Sequence, residues 1–373
     1  MSQVRVGMIG YQFMGRAHTH AYRALPFYFG NEMEPVLQAV AGRREAAVAK
    51  AAENMGWRSY ETDWRRLIER DDIDLIDIVT PNNTHAEMAI AAMEAGKHVI
   101  CEKPLAMSVE EAERMSAAAK RNGVVHMITH NYRFAPAVQY AQQLIAEGKL
   151  GRIYHIRAQY LQDWLTDPEA PMAWRLQKEV TGSGTLGDIG AHSIDLARFL
   201  IGEFSEVTSM METFVKERPY KDGSGTGEVD VDDAAAFLAR FENGTIGTFE
   251  ATRFANGNRN GNRFEINGEK GSIRWDLENM NNLGVFFSSD PAGQQGFRTI
   301  NCTEEVHPYA GAYWPAGHII GYEHTFINLM SELMKGIARG YSPSPNFDDG
   351  LKNQIVLDAV ERSAEAGKWI GIK

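Results

Sequence analysis

The sequence predicts an α/β chain in two parts. A doubly wound parallel sheet with helices spans residues 1–130, and an α+β domain with a large, mainly antiparallel open sheet spans residues 131–373. Three observations carry this expectation. Through the first third of the chain, short apolar runs alternate with helical stretches, a rhythm that needs crossover connections and hence parallel strands. The first run, "VRVGMI" from Val4 to Ile9, breaks at Gly10 and resumes as a helix from Met14 to Leu25. Further on, strand-like runs follow one another through turn pairs at Asn243-Gly244 and Asn267-Gly268. A length of 373 residues, 44% of them hydrophobic, suits two such domains with their own cores.

The elements follow in order. A second strand, Val36 to Ala41, ends at Gly42, Arg43 and Arg44, and Glu45 to Met55 has helical composition. "DLIDIVTP", Asp74 to Pro81, is a buried strand stopped by proline, and Thr84 to Gly96 is a helix closed by glycine. "HVICEKP" is a strand stopped by Pro104, "SVEEAERMSAAAKRNG" a serine-capped helix, and "VVHMITHNYRF" a further strand. A helix from Ala135 to Glu147 opens the second part, where "RIYHIRAQYLQDW" reads as strand and "GDIGAHSIDLARFLIG" as helix. The acids of "DGSGTGEVDVDD" lack the ordered spacing and terminal glutamate of a calcium loop, so that segment reads as a solvated polar loop.

Composition narrows the classes. A formal net charge of −11 argues against a broad phosphate-backbone footprint, so nucleic acid is not an expected partner. Cys101 and Cys302 are too few for a disulfide framework or a cysteine-rich zinc site. No H-E-x-x-H run occurs among the 11 histidines, and His18 and His20 point to different sides of one helix, so no metal is expected. No apolar run reaches membrane-spanning length, and no basic, apolar and small-residue leader pattern opens the chain. Cytoplasmic residence is the expectation, and the sequons at Asn82, Asn243 and Asn301 are then incidental.

The glycine corner carries the first chemistry. A dinucleotide-binding turn wants G-x-G-x-x-G, and here Gly10 and Gly15 hold the outer places while Gln12 takes the middle one. Gln12 suffices if its side chain points outward and its backbone stays in an allowed region. At the first strand of a parallel sheet, such a corner presents a helix N-terminus to phosphate. The second strand ends without the acid that would accept hydrogen bonds from the adenosine ribose. Arg43 and Arg44 stand there instead, favouring the 2′-phosphate of NADP over NAD.

Three further motifs, "TPNNTH", "EKPLA" and "GDIGAHSID", follow in order. Together with the corner, they resemble the Gfo/Idh/MocA family of NAD(P)-dependent oxidoreductases over nearly the whole chain. The resemblance implies a Rossmann domain carrying the lysine of the E-K-P motif and an open-sheet domain carrying a D-x-x-x-H pair. "YLQDW", "VDVDD", "GFRT" and "HPY" are most similar to the family's anhydrosugar- and glucoside-oxidising members. The implied activity is hydride transfer between nicotinamide and a ring hydroxyl of a pyranose sugar, glycoside or anhydrosugar, at C3 by resemblance alone. An inositol (cyclitol) dehydrogenase is the alternative, and a non-enzymatic sugar- or nucleotide-sensing regulator on the same fold is the alternative of another class.

Oxidising a secondary alcohol needs a base at the hydroxyl and positive character for the developing alkoxide. Lys103 lies beyond a parallel strand's carboxyl end, where such sheets bind ligands. Asp188 and His192, four apart on a helix, share a face, so the carboxylate could orient the imidazole. The resemblance makes these three catalytic, and the order in which Lys103 and His192 take the proton stays open. It assigns the cofactor to Gly10, Gln12, Phe13, Met14, Gly15, Arg43, Arg44, Thr80, Pro81, Asn82, His85, Glu102 and Lys103. The substrate falls to Tyr132, Gln162, Trp164, Arg175, Asp188, His192 and Tyr322, since flat aromatic faces suit the C–H face of a sugar and polar groups its hydroxyls. A homodimer or homotetramer is expected, because an antiparallel sheet with one helix-free face needs cover.

Overall fold

The structure is a computed structural model, described over residues 2–30 and 33–372. In chain order its first elements are β1 (Ser2–Ile9), α1 (Phe13–Tyr28), β2 (Met33–Ala41), α2 (Glu45–Met55), β3 (Ser59–Glu61), α3 (Trp64–Glu69), β4 (Leu75–Ile78), α4 (His85–Glu94), β5 (His98–Cys101), α5 (Val109–Asn122) and β6 (His126–Ile128). Then come α6 (Pro136–Ala146), β7 (Ile153–Leu161), α7 (Lys178–Thr181), α8 (Ala191–Leu200), β8 (Phe204–Glu212), β9 (Glu217–Pro219) and β10 (Thr226–Glu228). The rest are β11 (Ala234–Phe241), β12 (Ile246–Thr252), β13 (Gly261–Gly268), β14 (Gly271–Asp276), β15 (Asn282–Phe287), β16 (Arg298–Asn301), α9 (Tyr322–Arg339), α10 (Phe347–Ala366) and β17 (Ile370–Gly371). The chain divides into two compact units, Met1–Phe134 with Gly321–Gln354, and Ala135–Ile320 with Ile355–Lys373.

In the first unit six parallel strands run in the order β3-β2-β1-β4-β5-β6. Strand order reverses between β1 and β4, and the loops beyond their carboxyl ends form the usual ligand-binding edge of a doubly wound sheet. Helices on both faces explain why β4 and β5 are almost wholly buried and apolar. Asp77, fully buried within β4, is the exception. The expected strand "VVHMITHNYRF" is shorter in the structure: β6 ends at Ile128, and Asn131–Phe134 form a 3-10 turn. Its buried Asn131 donates to Thr325 Oγ1 at 2.8 Å, a side-chain anchor in place of ladder pairing.

Among the described residues the second unit holds a nine-stranded sheet, β16-β15-β14-β13-β7-β12-β11-β8-β17, in which only β7 and β12 pair in parallel. Along β11 burial alternates residue by residue, with Ala235, Phe237, Ala239 and Phe241 on the core side. Phe237 stacks on Phe249 of β12, ring centroids 4.5 Å apart. Burying each ring contributes about 1.5–3 kcal/mol before the entropy of ordering it. The opposite face leaves Leu238, Met210 and Ile246 exposed.

Candidate active site

The glycine corner has the shape its residues require. Gly10 adopts φ 108°, and a Cβ there would lie 2.9 Å from the Val79 carbonyl oxygen. A Cβ on Gly15 would lie 2.9 Å from the Gly10 carbonyl oxygen, so this glycine lets α1 approach β1. Gln12, exposed at the helix N-cap, has φ −80° and needs no glycine. Phe13 is exposed and Met14 half-buried in the first turn of α1, which carries no acid. The positive end of the helix dipole therefore meets no competing carboxylate from its own first turn. Beside it, the Gly10 N–H donates to Ala41 O, which places the end of β2 and the exposed Arg43 and Arg44 next to the corner.

The loops after β4 and β5 are fastened together. Thr80 pairs with Thr84 through their hydroxyls at 2.6 Å, and Pro81 leads into the turn Asn82–Thr84. His85 is fully buried, its Nδ1 3.0 Å from Pro104 O and its Nε2 3.0 Å from Thr80 O. Burial lowers its pKa, so the ring is neutral and donates to one of these carbonyls, Pro104 O being the one that reaches across to the second loop.

Beneath Lys103 lies a buried polar chain. Glu102 accepts from the Lys103 backbone N–H at 3.1 Å and, through its other oxygen, from His18 Nε2 at 3.0 Å. His18 Nδ1 lies 3.0 Å from both oxygens of Asp77, and the Tyr22 hydroxyl donates to Asp77 at 3.0 Å. Burial alone would push the His18 pKa down. The charge and hydrogen bond of Asp77, then those of Glu102, prevail and raise it to about 10. A buried imidazolium thus ties α1 to β4 and to the loop carrying Lys103. In the same unit the rings of Tyr132 and Tyr322 lie 6.2 Å apart, and burial pushes the Tyr322 phenol well up.

In the second unit Asp188 and His192 fall on one continuous helical stretch, yet not on a plain α-helix. Leu186–Gly190 form a π-helical turn, and α8 begins at Ala191. Such turns are rare and concentrate at functional sites, because the extra residue re-aims side chains. His192 is buried, with the Tyr160 ring 5.9 Å away, while the Asp188 side chain is 29% exposed. Arg253 Nη2 donates to Asp188 Oδ2 at 2.6 Å. Trp164 donates to Gln162 Oε1 at 2.9 Å, and Gln162 donates to Asn260 Oδ1 at 3.0 Å, as the Tyr160 hydroxyl does at 2.7 Å. The Trp164 ring faces the Arg253 guanidinium at 5.3 Å, and Arg175 covers Trp174 at 4.3 Å.

The reading of "DGSGTGEVDVDD" as a solvated loop is corrected over its second half, where Thr226–Glu228 form β10 and Val229 and Val231 are buried. Asp232 and Asp233 are buried, because their oxygens are needed by main-chain donors. Asp232 accepts from Gly184 and Leu186 at 2.7 and 2.8 Å, and Asp233 from Phe214 and Val215 at 2.8 and 3.1 Å. Sequence reasoning also passed over His18 and Arg253. The signal for His18 was Asp77, a carboxylate in the apolar run "LIDI" that calls for a buried cation. Arg253, in "ATRFA", had no comparable signal. Among the described residues no group of three or more His, Cys, Asp or Glu could hold a metal ion, and no helix is long and apolar enough to cross a membrane.

A parallel sheet with a glycine corner, joined to an open-sheet unit bearing an Asp–His pair, defines a nicotinamide-dependent oxidoreductase architecture. Comparison with known proteins agrees. Residues 4–130 match the oxidoreductase family with the NAD-binding Rossmann fold, and residues 138–274 match the GFO/IDH/MocA C-terminal domain. The chain is 45% identical over 386 residues to levoglucosan dehydrogenase of Pseudarthrobacter phenanthrenivorans, covering 100% of this chain and 99% of that one. A solved levoglucosan dehydrogenase in complex with NADH and levoglucosan superposes over 100% of both chains, with a TM-score of 0.97 at 45% identity. An oxidoreductase domain protein from Kribbella flavida does so with a TM-score of 0.97 at 51% identity. The chain belongs to the Gfo/Idh/MocA family of oxidoreductases.

Proposed function

We propose that the protein is a dehydrogenase of pyranose-type sugars, glycosides or anhydrosugars, acting at a ring hydroxyl, C3 in our reading. Full-length similarity to levoglucosan dehydrogenase, with Lys103, Asp188 and His192 standing in the motifs described, carries this reading. The residues also fit a dinucleotide: the corner is tight, and the first turn of α1 offers phosphate no opposing acid. Gly10 to Gly15 would hold the pyrophosphate, Thr80, Pro81 and Asn82 the nicotinamide end, and Arg43 and Arg44 the adenosine end. When bound, the nicotinamide supplies the hydride acceptor.

The chain's own residues manage the proton and the ring. As hydride leaves the carbinol carbon, the hydroxyl must lose its proton, and Lys103 and His192 are the groups that receive it or stabilise the oxygen. Asp188 supplies a fixed negative charge that orients donors. The Trp164 face covers the C–H face of the ring, while Gln162, Tyr132, Arg175 and Tyr322 address its hydroxyls. Arg43 and Arg44, with no acid in that strand end, lead us to expect that the 2′-phosphate of NADP is accepted alongside NAD. The protein self-associates through the exposed face of the second unit's sheet.

An absorbance screen of anhydrosugars, glucosides and cyclitols with both cofactors, in both directions, tests the reading. We expect turnover of one of the first two classes. Preference for cyclitols would reassign the substrate, and no turnover with any class despite tight cofactor binding would favour a sensing role. Dissociation constants for NAD and NADP, repeated on Arg43→Glu, test the arginines: the substitution should weaken NADP selectively, and an unchanged ratio would remove Arg43 from recognition.

A further inference from the structure

We propose that Arg253 is a positioning residue for the reaction, fixing Asp188 as an oriented anion on the π-helical turn that precedes His192. The inference rests on the catalytic reading of Asp188 and His192 given above. Arg253 follows directly on β12 near the middle of the sheet, and its side chain is 1% exposed, against 29% for Asp188. Arginine keeps its charge in proteins, so a guanidinium this deeply buried requires an anion at hand. Asp188 Oδ2 lies 2.6 Å from Nη2, a charge-assisted hydrogen bond. The same Nη2 reaches the Gly184 carbonyl oxygen at 3.4 Å, and that carbonyl also accepts from the Asp188 N–H at 3.0 Å. Arg253 therefore grips both the carboxylate of Asp188 and the backbone that sets its direction.

Two neighbours make the grip specific. Asp232, buried beside Arg253, clamps the amides of Gly184 and Leu186 at the entrance of the turn. The Arg253 backbone N–H donates to Asp233 O at 3.2 Å, which holds the Arg253 main chain beside the start of β11. The 5.3 Å approach of the guanidinium to the Trp164 ring links this anchor to the proposed sugar platform. In this arrangement Asp188 serves as a permanent counter-charge and does not itself receive the hydroxyl proton. That duty falls to His192 or Lys103.

A double-mutant cycle tests this. Arg253→Met, Arg253→Lys, Asp188→Asn and the Arg253→Met/Asp188→Asn pair are assayed with the best sugar of the screen, and cofactor dissociation constants are measured on each. We expect kcat to fall tenfold or more in Arg253→Met with cofactor affinity held within about threefold. Arg253→Lys should recover most of that loss, because it restores the charge. The double variant should be no slower than the worse single one, since residues acting as a unit are non-additive. Losses that multiply, or an Arg253→Met enzyme of unchanged kcat, overturn the proposal. If circular dichroism shows that Arg253→Met does not fold, Arg253→Gln, which also removes the charge, takes its place in the cycle and is read by the same criterion. A wild type that turns over no sugar overturns the functional reading and this inference with it, whereas normal turnover with multiplying losses overturns the inference alone.

Discussion

Single residues divide here into those constrained by backbone and those chosen for chemistry. Gly10 belongs to the first kind: φ 108° and a would-be Cβ at 2.9 Å from a main-chain oxygen leave no room for alanine. Gly10→Ala should destabilise the protein by about 1–3 kcal/mol, read as a lower midpoint in urea titration; an unchanged midpoint would mean the corner can relax. Gln12, at φ −80°, carries no such constraint, which is how the motif dispenses with its middle glycine. Lys103 and His192 belong to the second kind. Alanine at either position should preserve cofactor binding and lower turnover by roughly a hundredfold or more, the scale of general acid–base catalysis. Stopped-flow or steady-state rates on the best sugar check this, and two variants as fast as wild type would refute the assignment.

At the scale of elements, alternating composition made the strands and helices of the parallel sheet legible, since buried β4 and β5 leave their apolar runs plainly written between helical stretches. The π-helical turn under Asp188 was not legible, because Asp and His four apart read the same in an α-helix. Nor was the His18 network, whose members stand 59 and 84 positions apart and meet only when the sheet assembles. That network makes a prediction about pH. With its pKa raised to about 10 in the fold, the imidazolium stabilises fully below the ordinary histidine value near 6.5. The contribution declines as pH rises through that window and is gone above about 10. The melting temperature of the wild type should therefore fall between pH 7 and 10 more steeply than that of His18→Gln, whose side chain does not titrate. Parallel curves for the two proteins would show that His18 is neutral in the fold.

At the scale of the molecule, the second unit's sheet presents a face on which alternate side chains of β11 and β12 stay exposed. Met210, Leu238 and Ile246 are 73%, 48% and 51% exposed on three adjacent strands, too much apolar side chain in one place to read as scatter. Around them the charges are already matched within the face, Arg263 with Asp276 at 2.9 Å and Arg157 with Glu265 at 3.5 Å. A hollow of about 890 Å³ lies on this face, lined by Arg157, Gln159, Leu238, Glu250, Arg263 and Glu265 among others, and none of the candidate site residues contributes to it. Mixed apolar and internally paired polar groups suit a two-fold contact, in which one patch must complement itself. We therefore expect a dimer or tetramer built on this sheet. Sedimentation velocity at micromolar concentration should report at least twice the monomer mass. Leu238→Glu adds a carboxylate close to Glu250 and should shift the protein toward monomer, while kcat per chain changes little because Asp188 and His192 lie elsewhere. A wild type that sediments as a monomer at every concentration would refute the interface, and a Leu238→Glu variant that stays assembled would move it to another surface.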